Sequence, residues 1–235
     1  METSLHRQLK TLYAGEGALT EQRLEGYRID AIRGELLIEI QHGSLAAIRD
    51  KIARLLKRHP VLVVKPLVVR KTLIKQDGLG GKVVSRRLSP KTESVLSLFD
   101  ELVYFTRVFP HANLTLETPL VEVEEWRYPG HGKRRRWGRN DFQVEDQRLV
   151  AIHDTHRFAT NQDLLALLPP NLPSPFHTGH LAEGLGVRRW ICQRVAYVLR
   201  KCGAVEECGK LRNARLYSLP SPVKPGKSRR KKLAS

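Results

Sequence analysis

Residues 28–42 read Arg-Ile-Asp-Ala-Ile-Arg-Gly-Glu-Leu-Leu-Ile-Glu-Ile-Gln-His, and this stretch constrains the chain more than any other. Two apolar runs, 27–32 and 36–40, flank Arg33-Gly34-Glu35, a polar turn containing glycine. That pattern predicts a β-hairpin with a loop of about three residues. Side chains alternate along a strand, so Glu39 and Gln41 point one way while Leu36, Ile38 and Ile40 point the other, into a core. Asp30 is the odd residue of its own strand, an acid between Ile29 and Ala31. Carboxylates are scarce in strands and costly to bury without a partner. Two acids in the paired halves of one hairpin can share a divalent cation, whose hard charge prefers oxygen ligands. The plainer alternative leaves both on a wet edge, paired with Arg28 or Arg33.

The next residues favour the shared cation. Ser44 is placed to cap a helix over 45–56, and Lys51 lies one turn from both Ile48 and Leu55, on their inward side. A short apolar run ending in Lys65-Pro66 reads as a buried strand. The order is strand, strand, helix, strand, with acids on the first two strands.

On these residues, roughly 4–70, the chain resembles the PD-(D/E)XK restriction-endonuclease-like superfamily. It is similar to the competence-protein nucleases, where Gln can take the lysine position of the last motif. The resemblance implies an α/β fold, a mixed sheet flanked by helices. It implies that Asp30 and Glu39 hold Mg²⁺ or Mn²⁺, that Gln41 takes the lysine position, and that Lys51 supplies the missing charge as a migrated lysine. An extra acid precedes the Asp strand in many relatives, and Glu21 or Glu25 could fill that place. The chain departs from the pattern in having Ile29 where a proline precedes the acid.

Charge points to the partner. Lys and Arg outnumber Asp and Glu by 41 to 24, a net +17, which suits a polyanion and, for a soluble chain, nucleic acid before membrane. No apolar run approaches the ~18 residues of a membrane span, and the N-terminus lacks an apolar signal stretch. Three cysteines without paired spacing fit a reducing cytoplasm. Residues 126–139 hold six cations, two Trp and one Tyr in a Gly-rich loop, with Arg134, Arg135 and Arg136 at its centre; such cations can neutralise phosphates while aromatics stack on bases, a reading favoured here over a solvated basic hairpin tip.

Elsewhere the spacing predicts a helix over 4–13 with Leu5, Leu9, Leu12 and Tyr13 on one face. His6 and Lys10 share another face, within reach of phosphate, although a solvated face is the ordinary reading. A strand continues over 67–74, and a flexible loop follows at 76–81. Ser89-Pro90 opens a helix carrying Val95, Leu98, Phe99, Leu102 and Val103, which ends before Pro110. A half-exposed strand from residue 120 puts Glu122, Glu124 and Glu125 on its wet side.

From residue 153 the pattern changes to three short helices and a hairpin, over 160–168, 177–186, 187–202, 204–208 and 214–219. That order is similar to a winged helix, in which the helix after the turn enters the major groove and the wing reaches the backbone or minor groove. The candidate recognition helix carries Arg188, Arg189, Gln193, Arg194, Arg200 and Lys201, and the wing Lys210, Arg212 and Arg215. Cys192, Cys202 and Cys208 with His177 or His180 fit no ordinary zinc spacing and read as buried thiols.

The sequence therefore predicts three parts: a nuclease-like domain over 1–152, a winged helix-turn-helix domain over 153–219, and a disordered basic tail over 220–235. The expected activity is metal-dependent hydrolysis of phosphodiester bonds in double-stranded or branched DNA, with RNA and a homodimer left open. The alternative is a non-catalytic DNA-binding protein with a degenerate nuclease-like scaffold.

Overall fold

The computed structural model describes residues 2–130 and 141–220. Helix α1 (Ser4–Ala14) is capped by Thr3, whose side chain accepts from His6 N, and it buries Leu5 and Leu9. A meander follows: β1 (Leu19–Leu24), β2 (Tyr27–Arg33) and β3 (Leu36–Ile40), all antiparallel. Arg33 pairs with Leu36, so the β2–β3 loop is two residues, one shorter than expected. Gly34 at φ +60 takes its first position, where a tight hairpin needs positive φ.

Ser44 caps a 3₁₀ turn (Leu45–Ala47) that leads into α2 (Arg49–Leu55), and β4 (Val61–Val64) returns parallel to β3. Beyond Lys65-Pro66 come β5 (Leu67–Gln76), β6 (Val83–Leu88), a 3₁₀ turn (Val95–Ser97) and α3 (Leu98–Leu102). The long strands β7 (Leu114–Pro129) and β8 (Phe142–Phe158) complete an eight-stranded mixed sheet. After them come α4 (Asn161–Leu165), α5 (Thr178–Leu185), α6 (Arg189–Lys201) and the hairpin β9 (Glu206–Leu211) and β10 (Ala214–Ser218).

The centre of the sheet is β7. One of its edges pairs with β8, and the other pairs first with β4 and then with β5. The sheet therefore forks at Lys65-Pro66: β1, β2 and β3 fan out beside β4, and β5, β6, β7 and β8 continue as an arm. Under α1 lies one core, with Leu5, Leu9, Ile38, Ile40, Val121 and Val123. A larger core on the opposite face joins Ile52 of α2 and Phe99 of α3 to Cys192, Val195 and Leu199 of α6.

Three expectations are corrected. The helix from Ser89 does not form. Ser89 N donates to Lys71 O and Glu93 N to Val68 O, holding the segment against β5, and the helical turn starts only at Val95. The boundary at 152/153 falls inside β8, which runs on to Phe158, and the C-terminal helices share the core of α2 and α3. Glu125 does not face water: it is 4% exposed and held by Lys71, Arg127 and Gln147. The basic tail and Arg134, Arg135 and Arg136 lie outside the described residues.

Candidate functional site

Pairing of β2 with β3 stops at Ala31↔Ile38. Beyond that point Asp30 replaces backbone with side chain, and its Oδ2 accepts from Ile40 N at 2.8 Å. Its Oδ1 lies 3.3 Å from Nε2 of His6 on α1. Burial opposes the Asp30 anion, but the His6 hydrogen bond and the Ile40 amide outweigh it and hold the carboxyl below its ordinary value. The same contact raises the His6 imidazole against the opposing effect of burial.

Glu39 sits on the next strand, 8% exposed. Its Oε1 accepts from Lys51 Nζ at 2.6 Å, and Lys51 also donates to Arg28 O at 2.5 Å. Oε2 of Glu39 is buried with no hydrogen-bond partner. Burial, and then the Asp30 charge, push the Glu39 carboxyl up to about 7, with Lys51 pulling the other way. Near neutrality this group can hold or release a proton.

The solvated-face reading of α1 is overturned, because His6 meets Asp30 and Lys10 meets Glu2 and Glu21. Both oxygens of Glu21 are engaged, one by Lys10 and one by Arg28, and its backbone stands at φ +58 within β1. Glu25 occupies the β1–β2 turn beside Arg58 and His59, away from this contact set.

Gln41 lies past the end of β3. Its backbone N donates to Val64 O, and its side-chain amide donates to Ser44 O at 2.9 Å, closing the turn into α2. Sequence reasoning missed Lys65, which is 5% exposed and fastens this turn from beneath. Its Nζ donates to the carbonyls of His42 (3.0 Å) and Gly43 (2.7 Å) and lies 3.4 Å from Glu101. The other Glu101 oxygen accepts from Leu45 N. The available signal was a lysine closing a run of four buried valine and leucine residues. His42, also missed, is held below its ordinary value by burial first and then by Lys65 and Lys71.

The structure thus brings together Asp30, Glu39 and Lys51, adds His6, and turns Gln41 toward the neighbouring loop. Two carboxylates and an orphaned Glu39 oxygen suit a hard divalent cation that keeps most of its waters. Among the described residues no three His, Cys, Asp or Glu side chains form a ready-made metal cage.

The expected DNA-contacting residues form a second region. Arg188, Arg189, Gln193, Arg194 and Lys201 are exposed on or beside α6, and Arg200 is half-buried. Arg194 pairs with Asp100 of α3 at 2.5 Å and lies over the Trp190 ring. Arg189 donates to Thr178 Oγ1. Lys210, Arg212 and Arg215 are exposed on the hairpin, where Arg215 pairs with Glu207. Cys192 and Cys202 are buried as expected; Cys208 is exposed, because every residue of β9 faces solvent.

No helix among the described residues is long and apolar enough to cross a membrane. Residues 3–159 match a family described as "Domain of unknown function (DUF8091)". A protein of Treponema pallidum (strain Nichols), described as "Uncharacterized protein", is 27% identical over 223 residues, which is 94% of this chain and 86% of that protein. No solved structure matches.

Proposed function

The chain belongs to the DUF8091 family, and we propose that it is a metal-dependent phosphodiesterase acting on DNA. One observation carries this reading: a half-buried Asp30 beside a buried Glu39, where β2 and β3 part, with Lys51 on one oxygen of Glu39 and the other oxygen unsatisfied. A structural ion pair alone gives no reason to keep an acceptor buried without a donor.

Asp30 and Glu39 would hold Mg²⁺ or Mn²⁺. Such a cation supplies Lewis acidity toward a phosphate oxygen and acidifies a nearby water. His6 keeps Asp30 ionised, so one ligand is charged at any physiological pH. Glu39 must lose its proton, which makes metal uptake proton-releasing near pH 7. Lys51 places a cation beside the pair, where it offsets charge that builds on phosphate. Gln41 and Lys65 act by holding the turn that fixes Glu39.

The order α4, α5, α6, β9, β10 supports a winged helix as the DNA anchor, with α6 presented to the groove. A second reading, a DNA-binding scaffold without chemistry, draws on Lys51 and His6, which already satisfy both acids in part.

The test is nicking of plasmid and cleavage of duplex, branched and single-stranded oligonucleotides with Mg²⁺ or Mn²⁺, with EDTA as control. Cleavage by the native chain and none by Asp30→Asn supports the phosphodiesterase. No cleavage of any substrate, together with no metal uptake by calorimetry, leaves the scaffold.

A further inference from the structure

Beyond the fork, the two faces of the arm carry charge differently. On the face away from α1, cations are matched one to one, Arg70 with Glu122 at 3.4 Å and Arg86 with Glu124 at 2.8 Å. The other face continues from Val121 and Val123, which pack under α1. There Lys71 and Arg127 share the single carboxylate of Glu125. Lys75 and Arg87, on the same face, have no ion-pair partner among the described residues.

Strand register arranges these groups in rows. Ser85, Lys75 and Arg127 stand abreast on β6, β5 and β7, and Arg87, Leu73 and Glu125 form the next row. The first row spans about 10 Å, given the ordinary spacing of neighbouring strands. The cations edge a cavity of about 300 Å³, with Asp141 on its rim. The Arg127 guanidinium lies 3.8 Å over the Phe142 ring, which orients its planar fork and sets an aromatic wall beside it. His42, next to Gln41, lies near enough to Lys71 and Glu125 of this arm and to His6 of the candidate centre to feel the charge of each, after burial and Lys65.

We propose that this cavity seats one nucleotide of a single-stranded nucleic acid, flanking the phosphodiester at Asp30 and Glu39. Its phosphate would lie on Lys75, Arg87 and Arg127, and its base against Phe142. The proposal rests on the phosphodiesterase reading for what is bound. Lys75 and Arg87, without ion-pair partners among the described residues, leave this face with cations for a polyanion, and a base can reach an aromatic wall only when it is not stacked within a duplex. The volume suits a single nucleotide-sized ligand.

The experiment measures binding of a fluorescent oligothymidylate to the full chain in EDTA. Lys75→Gln with Arg87→Gln is compared with Arg54→Gln with Lys57→Gln, an equal charge change on and just after α2. The first pair is expected to weaken binding about tenfold and to reduce the salt slope by up to about 0.7, for the one phosphate that Lys75 and Arg87 share with Arg127 on a single strand. The second pair is expected to stay within about twofold. Phe142→Leu is expected to cost about fivefold on the oligonucleotide and nothing on an abasic phosphodiester of equal length. Equal losses from the two pairs, an unaffected Phe142→Leu variant, or no binding by the native chain would each overturn the proposal.

The assay contains no metal, so its result is separate from cleavage. A native chain that cleaves, with the Lys75/Arg87 variant binding normally, removes the subsite alone. A native chain that never cleaves, with that variant impaired, removes the phosphodiesterase alone.

Discussion

At the fork of the sheet nearly every charge is matched: Asp30 with His6, Glu39 with Lys51, Glu21 with Lys10 and Arg28, and Lys65 with Glu101. On α6 and the hairpin most cations stand in solvent, and Arg188, Lys201, Lys210 and Arg212 have no ion-pair partner among the described residues. The difference separates two uses of charge. A buried pair is held at a desolvation cost, so losing one partner strands the other. An exposed cation adds little to stability but remains free to meet a polyanion. Changes at the fork should therefore alter chemistry and folding, and changes on α6 should alter binding alone.

The largest effect is expected from Asp30→Asn. It keeps the shape and the Ile40 contact but removes the charge, so Mg²⁺-dependent nicking should fall by about a thousandfold or more, at least the loss seen for a single electrostatic group in an active site. Duplex binding in EDTA should be unchanged or tighter, since on the phosphodiesterase reading an anion has left the pocket that faces phosphate. Binding lost together with cleavage would break the division between the two regions.

Lys51→Met comes next, with an expected cost of about 3 kcal/mol at pH 8.5 from an uncompensated buried carboxylate. Because the folded Glu39 carboxyl titrates near 7, above its unfolded value, its contribution to stability is fully present below the unfolded value and is lost as pH rises through 7. The Lys51→Met penalty should therefore shrink at pH 5, where Glu39 is protonated. Glu39→Gln should remove most of this pH dependence. Urea denaturation at the two pH values measures both, and a penalty independent of pH would contradict the burial of an ionisable Glu39.

A smaller effect, confined to binding, is expected on α6. Arg189→Ala with Lys201→Ala should weaken duplex binding and lower the salt slope by about 1.8, from two lost contacts at about 0.9 each, while urea midpoints stay unchanged. Fluorescence anisotropy across a salt series gives the slope.

The smallest effect sharpens the comparison within α6 itself. Arg194 is engaged by Asp100, so Arg194→Ala should cost less binding than Arg189→Ala, and Asp100→Asn should tighten binding about twofold by releasing a cation. Equal losses from the two arginines would mean that the Asp100 contact opens on DNA.

The sequence alone determined the hairpin at 27–40, helix α1 and the buried strand at β4, while the helix expected over 45–56 is realised as a 3₁₀ turn capped by Ser44 followed by α2. Each rests on local periodicity and caps, which act within a few residues. Asp30, Glu39 and Lys51 were legible for the same reason: an acid between apolar residues and a lysine at inward spacing are local anomalies. Tertiary structure alone decided the rest. Backbone bonds from β5 kept 89–94 out of a helix despite Ser89-Pro90. Partners more than twenty residues away settled Glu125 and Lys65. His6 reached Asp30 because α1 lies on the sheet beside β2, a placement set by the shared core of Leu5, Leu9, Ile38 and Val121 and by no short-range pattern. A buried charge is settled by whichever group arrives to satisfy it, and that group is chosen by packing between distant segments.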